Sequence, residues 1–185
     1  MVKEIIANNE ERLEKSIAAL RREFGSLRAG RATPSLLDKV MVDYYGTPTP
    51  VNQVAKVSVP EPRMIVIQPW EKNLIHDIEL AIMKSDLGLS PNSDGTAIRL
   101  SIPQLTQERR QELVKTVGKK AEEAKVAIRN IRRDGNESVK KLEKAKEITE
   151  DESKKAQEDI QKIVDKYIKT VDTLKEAKDK EIMEV

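Results

Sequence analysis

Apolar residues recur at helical spacing almost from the start of the chain. Ile6, Leu13, Ile17, Leu20, Phe24 and Leu27 form one stripe, and from Leu13 to Leu27 the spacing alternates four and three. That alternation marks a coiled-coil-like seam. Glu10 interrupts a strict extension back to Ile6. A helix of about 25 residues spans roughly 40 Å. It cannot bury its own stripe, so it requires partner helices.

The pattern stops at Gly30, and Thr33-Pro34 disfavours helix. The next stretch alternates instead. Lys39 to Tyr45 is β-rich, and Gly46-Thr47-Pro48-Thr49-Pro50 reads as a rigid, helix-free loop. Val54 to Val59 and Met64 to Ile67 read as a second and third strand. Asn73 to Leu87 reads as a short amphipathic helix with Ile75, Ile78, Ala81, Ile82 and Leu87 inward. Gly88, Pro91 and Gly95 mark a turn-rich connection, and Thr96 to Ile102 alternates as a last strand. Seven of the eight prolines lie between Pro48 and Pro103, and Pro34 lies just before them. This composition boundary places a small domain at residues 31–104, between a first bundle segment at 1–30 and a second at 105–185.

Helical periodicity returns after Pro103, with Thr106 as the expected N-cap and Glu108 in the first turn. The second seam is read as Val117, Ala121, Ala124, Ile128, Ile131, Gly135, Ser138 and Leu142. Gly135 costs about 1 kcal/mol of helix propensity relative to alanine, which predicts close packing there as compensation. The helix ends around Ile148. Thr149-Glu150-Asp151-Glu152 has the form of a capping box for a third helix. Its stripe is read as Ala156, Ile160, Ile163, Tyr167, Val171 and Leu174. The fold class is therefore α+β: an elongated three-helix bundle with a small β/α/β domain inserted between its first two helices. The two crossings, near Gly30-Arg31 and Leu105-Thr106, are expected to lie close in space and to act as a hinge.

Composition narrows the chemistry. Charged residues make up 36% of the chain and aromatics 3%, a mix suited to long amphipathic helices. Cysteine is absent, which removes disulfides, thiol nucleophiles and thiolate zinc sites. No apolar run approaches the roughly 20 residues of a membrane span. The N-terminal residues lack a signal-peptide core, so a cytoplasmic protein is expected. Net charge is only +2, so any polyanion must be met by a local stripe. Residues 30–105 hold 7 basic and 8 acidic side chains, leaving 27 and 24 for the rest. The bundle is thus the better RNA candidate.

The sharpest stripe is Lys125, Arg129, Arg132 and Arg133, at helical spacings with no acid between Lys125 and Arg133. Arginine's planar fork matches phosphate and stacks on bases. Two readings stand side by side: an RNA surface, or a solvated face paired with glutamates of the third helix. Arg28 and Arg31 flank Gly30. Arg28 suits a helix C-terminus capped by a left-handed Gly30. Arg109 and Arg110 can pair with glutamates of their own helix. His76, the only histidine, reads as an ordinary helix residue, and Asn92-Ser93-Asp94-Gly95 as a turn rather than a calcium loop. Trp70 is expected in the core, and one of Tyr44 and Tyr45 outward. No phosphate loop and no acid, base or nucleophile set is evident, so no catalysis and no cofactor are expected.

Tyr44-Tyr45-Gly46-Thr47-Pro48-Thr49-Pro50, Ser85-Asp86-Leu87-Gly88-Leu89 and Ile128-Arg129-Asn130-Ile131-Arg132-Arg133-Asp134 stand in order along the chain. So do Arg28-Ala29-Gly30-Arg31-Ala32 and Glu181-Ile182-Met183. Together they resemble the bacterial ribosome recycling factor family over essentially the whole length. The resemblance implies an L-shaped, hinged, non-catalytic protein acting as a monomer. It implies binding to the post-termination ribosome across the large-subunit tRNA sites. With elongation factor G, which binds and hydrolyses the GTP, it implies splitting into subunits and release of mRNA. It also implies that Arg129 and Arg132 contact large-subunit ribosomal RNA, with Arg28, Arg31, Lys125 and Arg133 in support.

Overall fold

Three long helices carry the apolar stripes: α1 (Val2–Ser26), α4 (Gln107–Lys144) and α5 (Glu150–Glu184). The computed structural model describes residues 1–27 and 30–184. The chain divides into two compact units, Met1–Arg28 with Gln107–Glu184, and Ala29–Thr106. In the first, α1, α4 and α5 pack on one another around Leu13, Leu20, Ile128, Ile160 and Ile182.

The stripes run as expected along most of their length, with defined shifts. In α1 the buried position before Leu13 is Asn9 rather than Ile6, which is half-buried. Asn9 Nδ2 donates to the Ile131 carbonyl on α4 at 2.8 Å. In α4 the buried residue after Gly135 is Val139, and Ser138 is exposed. In α5, Val164 is buried and Ile163 only half-buried. The cause is geometric: an α-helix turns in 3.6 residues, so an assumed 3.5-residue seam drifts off the face. Gly135 is closely packed, as its place in the seam predicted. A Cβ added there would lie 2.5 Å from Asn9 Nδ2 and 3.3 Å from Ile160 Cδ1.

The α4–α5 corner is closed at both ends. Glu147 N–H donates to the Leu142 carbonyl and Lys146 N–H to the Glu143 carbonyl, at 3.0 and 2.9 Å. This pair of bonds is a Schellman motif, in which a left-handed residue follows the helix. That residue is Lys146, at φ 61°. Thr149 Oγ1 then accepts from Glu152 N–H at 3.1 Å, the side-chain half of the expected cap. Glycine occupies the left-handed region without the Cβ clash. Lys146→Gly should therefore raise stability by about 0.5–1 kcal/mol, read by chemical denaturation. A loss of stability would show that the lysine side chain holds this corner.

Arg109 pairs with Glu112 of its own helix at 3.0 Å. Arg110 does not follow that pattern. It is buried, and its Nη1 donates to the Ile182 carbonyl in the last turn of α5 at 2.6 Å. A helix end leaves its last carbonyls without intrahelical donors, and a buried guanidinium answers that need here.

The second unit differs more from its reading. The segment expected as a loop after Gly46 is a strand: β1 (Met41–Tyr44) pairs antiparallel with β2 (Thr47–Pro50). Tyr45 and Gly46 have φ of 51° and 86°, the left-handed pair that a type I′ hairpin turn requires. Gly46 N–H donates to Asp43 Oδ1 at 2.8 Å. Prolines are tolerated in β2 because a two-stranded ribbon has only edges. A helical turn, α2 (Val51–Val54), takes the start of the expected second strand.

The main sheet is antiparallel in the order β3-β4-β6-β5, with β3 (Ala55–Glu61), β4 (Met64–Pro69), β5 (Pro91–Ser93) and β6 (Ile98–Ser101). Strand β5 was not anticipated. The helix read over 73–87 is a 3-10 turn, Lys72–Leu74, followed by α3 (Ile75–Lys84). Ile78 and Ile82 of α3 join Val42, Ile65, Ile67, Ile98 and Leu100 in the core. Trp70, expected in the core, is 68% exposed. Asp94 caps its turn: it accepts from the N–H groups of Thr96 and Ala97 and from Thr96 Oγ1. Those bonds, with Arg99 beside it, hold its carboxyl well below the usual carboxylate range.

Candidate nucleic-acid interface

In a helix each residue advances about 100°, so the four cations of the α4 stripe do not share one environment. Lys125 and Arg132 lie on the flank toward α5, whereas Arg129 and Arg133 point outward. Lys125 Nζ pairs with Asp172 of α5 at 2.6 Å. Arg132 Nη1 donates to Gln161 Oε1 of α5 at 3.0 Å, and its Nε is buried with no partner. Arg129 pairs with Glu122 of its own helix at 3.1 Å, both side chains being about half exposed. Arg133 is exposed and has no ion pair among the described residues.

The expected glutamate pairing with the third helix is thus replaced. An aspartate and a glutamine of α5 hold the flank, and a glutamate of α4 meets Arg129. These contacts differ in strength. An exposed pair such as Arg129–Glu122 is worth about 0–1 kcal/mol, so a phosphate can displace it. The Arg132 guanidinium is half-buried and oriented by Gln161, so it has less side-chain freedom to lose on binding. The face therefore combines one positioned fork with two outward cations. Neither Gln161 nor Asp172 was anticipated from sequence, because their partners lie about one helix length away along the chain.

The remaining predicted residues belong elsewhere. Arg28 lies outside the described residues. Arg31, in the second unit, is exposed. Gly30 is buried at φ 76°, but it does not cap α1, whose C-cap is Leu27 in an extended conformation. Leu105 is half-buried and Thr106 exposed. The chain segments next to these positions are pinned side by side. Ala32 N–H donates to the Pro62 carbonyl at 2.7 Å, and Ile102 N–H to the Arg63 carbonyl at 2.8 Å. Entry to and exit from the second unit thus meet at the β3–β4 turn.

His76 is exposed on α3. Among the described residues no cluster of histidine, aspartate and glutamate could hold a metal ion. Among the described residues no helix is long and apolar enough to cross a membrane.

Comparison with known proteins agrees along the length of both units. A family model described as ribosome recycling factor matches residues 20–183. The ribosome-recycling factor of Desulforamulus reducens is 61% identical over 185 residues, covering 100% of both chains. That of Clostridioides difficile is 59% identical over 182 residues, covering 98% of each. Among solved structures, a solution structure of ribosome recycling factor has a TM-score of 0.77 at 42% identity, covering 100% of this chain and 98% of that one. Another has a TM-score of 0.63 at 46% identity, with 98% of each chain covered. It describes T. thermophilus ribosome recycling factor and E. coli elongation factor G bound to the E. coli post-termination complex.

Proposed function

The chain belongs to the ribosome recycling factor family, and from that premise we propose how its two units divide the work. It binds the post-termination ribosome at the large-subunit tRNA sites. With elongation factor G and GTP, it promotes dissociation into subunits and release of mRNA. The carrying observation is that the similarity runs through bundle and insert alike, so both parts of the machine are present.

In this reading the bundle, residues 1–30 with 105–185, docks on large-subunit RNA through α4. Arg129 and Arg132 make the principal contacts, with Arg133 and Lys125 beside them and Arg28 and Arg31 in support. The insert, residues 31–104, is the moving arm. Gly30, Arg31, Leu105 and Thr106 form its hinge, a role favoured by the paired anchoring at Pro62 and Arg63. The protein has no catalytic step of its own and works in the cytoplasm. GTP is bound and hydrolysed by elongation factor G, and the factor's contribution is steric.

The direct experiment is ribosome splitting followed by light scattering, with elongation factor G and GTP, with and without this protein. Splitting that proceeds equally without it would refute the proposal. For the docking face, Arg132→Glu should weaken large-subunit binding by roughly tenfold or more, since it removes a phosphate contact and adds a repulsive charge. Its thermal melt should stay near that of the parent. Unchanged affinity with an unchanged melt removes Arg132 from the interface.

A further inference from the structure

The interhelical grooves of the bundle differ in sign. The groove near the α4–α5 corner is lined by Glu143, Glu150 and Glu158 against one lysine, Lys154. A groove of larger volume, about 570 Å³, runs between α1 and α5. Arg21, Lys162, Lys166 and Lys169 line it, with Thr170 and Thr173, and Asp165 is its one acid. Asp165 accepts a hydrogen bond from Gln161 Nε2 at 2.8 Å, which draws part of its charge to another neighbour. None of the four cations has an ion pair among the described residues. Lys166 Nζ lies 5.8 Å above the Tyr167 ring, a weak cation–π contact that leaves its charge available. On α1, Glu10 and Glu14 accept from the Tyr167 hydroxyl.

The α4 face and this groove are therefore unlike. On α4, three of the four cations are engaged within the bundle. Along α1 and α5, four cations converge on a concave surface against a single acid, Asp165, which Gln161 engages. Lys162, Lys166 and Lys169 follow one another at spacings of four and three, so they span about 10 Å of helix axis. That length corresponds to about three nucleotides at 3.4 Å rise per nucleotide.

We infer that the α1–α5 groove is a second polyanion site, which takes the sugar–phosphate backbone of an RNA strand distinct from the one that meets α4. Lysine is depleted at protein–protein interfaces, which rely on aromatic and apolar anchors. This groove offers three lysines, an arginine and threonine hydroxyls, with Leu174 as its one large apolar side chain. Its chemistry fits a phosphate chain better than an acidic peptide. The inference rests on the proposed function only for the source of the RNA, the large ribosomal subunit.

The test uses the full chain with Lys162, Lys166 and Lys169 all replaced by glutamine, and separately with Arg129→Gln and Arg132→Gln. All three lysines are exposed, so the triple variant should melt as the parent does. Binding to purified large subunits is measured as a function of salt. Loss of three phosphate contacts should lower the slope of log K against log salt by about two to three, and affinity by roughly tenfold to a hundredfold near 0.1 M salt. The paired arginine variant should lower the slope by about two, independently. An unchanged slope in the lysine variant beside a loss in the arginine variant overturns the groove and leaves the ribosomal function standing.

A second arm measures parent and lysine variant against a short polyuridylate and a polyglutamate of equal length. Lysine-dependent capture of polyuridylate supports the inference. Lysine-dependent capture of polyglutamate alone, or of neither probe, overturns it.

Discussion

Replacing Arg110 with alanine is expected to destabilise the bundle by about 3 kcal/mol, from loss of a bond to a charged donor and of its buried stem. The 2.6 Å bond to Ile182 ties the first turn of α4 to the last turn of α5. Without it, the Ile182 carbonyl is stranded beside a cavity, and the C-terminal turn of α5 should fray. Amide exchange in the last turns of α5 should accelerate well before global unfolding. Arg109→Ala is the internal control. Arg109 is half exposed and pairs with Glu112 on the surface, and exposed pairs contribute about 0.2–1 kcal/mol. Arg110→Lys keeps charge but lacks the fork, and should recover only part of the loss. If the two alanine variants cost the same, the buried bond has no special role.

Gly135→Ala should also destabilise, by about 2 kcal/mol, although alanine is favoured over glycine by about 1 kcal/mol in a helix interior. The new Cβ would lie 2.5 Å from Asn9 Nδ2 and 3.1 Å from its Cγ. Asn9 is buried, and that same Nδ2 holds the Ile131 carbonyl, so retreat breaks the hydrogen bond. Its Oδ1 is buried without a hydrogen-bond partner, so no second bond offsets that loss. A double-mutant cycle separates these effects. With Asn9→Ala in place, Gly135→Ala should become neutral or stabilising, giving a coupling of about 2–3 kcal/mol between positions in contact. Additive costs would mean that Ile160, rather than Asn9, sets the limit.

The long helices were legible because periodicity of 3.6 is carried by many residues at once, and single-position shifts do not erase it. Errors arose where a single residue decides. Ser138 and Val139 differ by one position, and so do Ile163 and Val164, and only the packed face distinguishes them. Asn9 is polar and therefore invisible to a hydrophobic stripe, although it fills the seam opposite Gly135. The β2 strand was concealed by Pro48 and Pro50. Its register comes from Tyr45 and Gly46 being left-handed together, and only glycine signals that in sequence. Trp70, expected in the core, lies just beyond β4 and is left to solvent. For the site, the arginine spacing on α4 was readable, yet the partners that orient it were not. Gln161 and Asp172 reach it across the bundle. The α1–α5 groove was missed for the same reason: Arg21 and the α5 lysines are far apart in sequence and meet only through packing.

The bond between Asn9 and Ile131 joins residues 122 positions apart. On a ribosome making about 5–20 residues per second, roughly 6 to 24 s pass between synthesis of the two partners. All strands of the insert are complete by Ser101, so the small unit can fold during that wait. Helix α1 cannot finish, since most of the stability of an amphipathic helix comes from packing its apolar face against partners, and these are not yet made. The nascent chain therefore carries an unpaired apolar stripe through most of its own synthesis. Its N-terminal segment is the part most exposed to chaperone capture, and bundle closure is deferred until α4 leaves the exit tunnel.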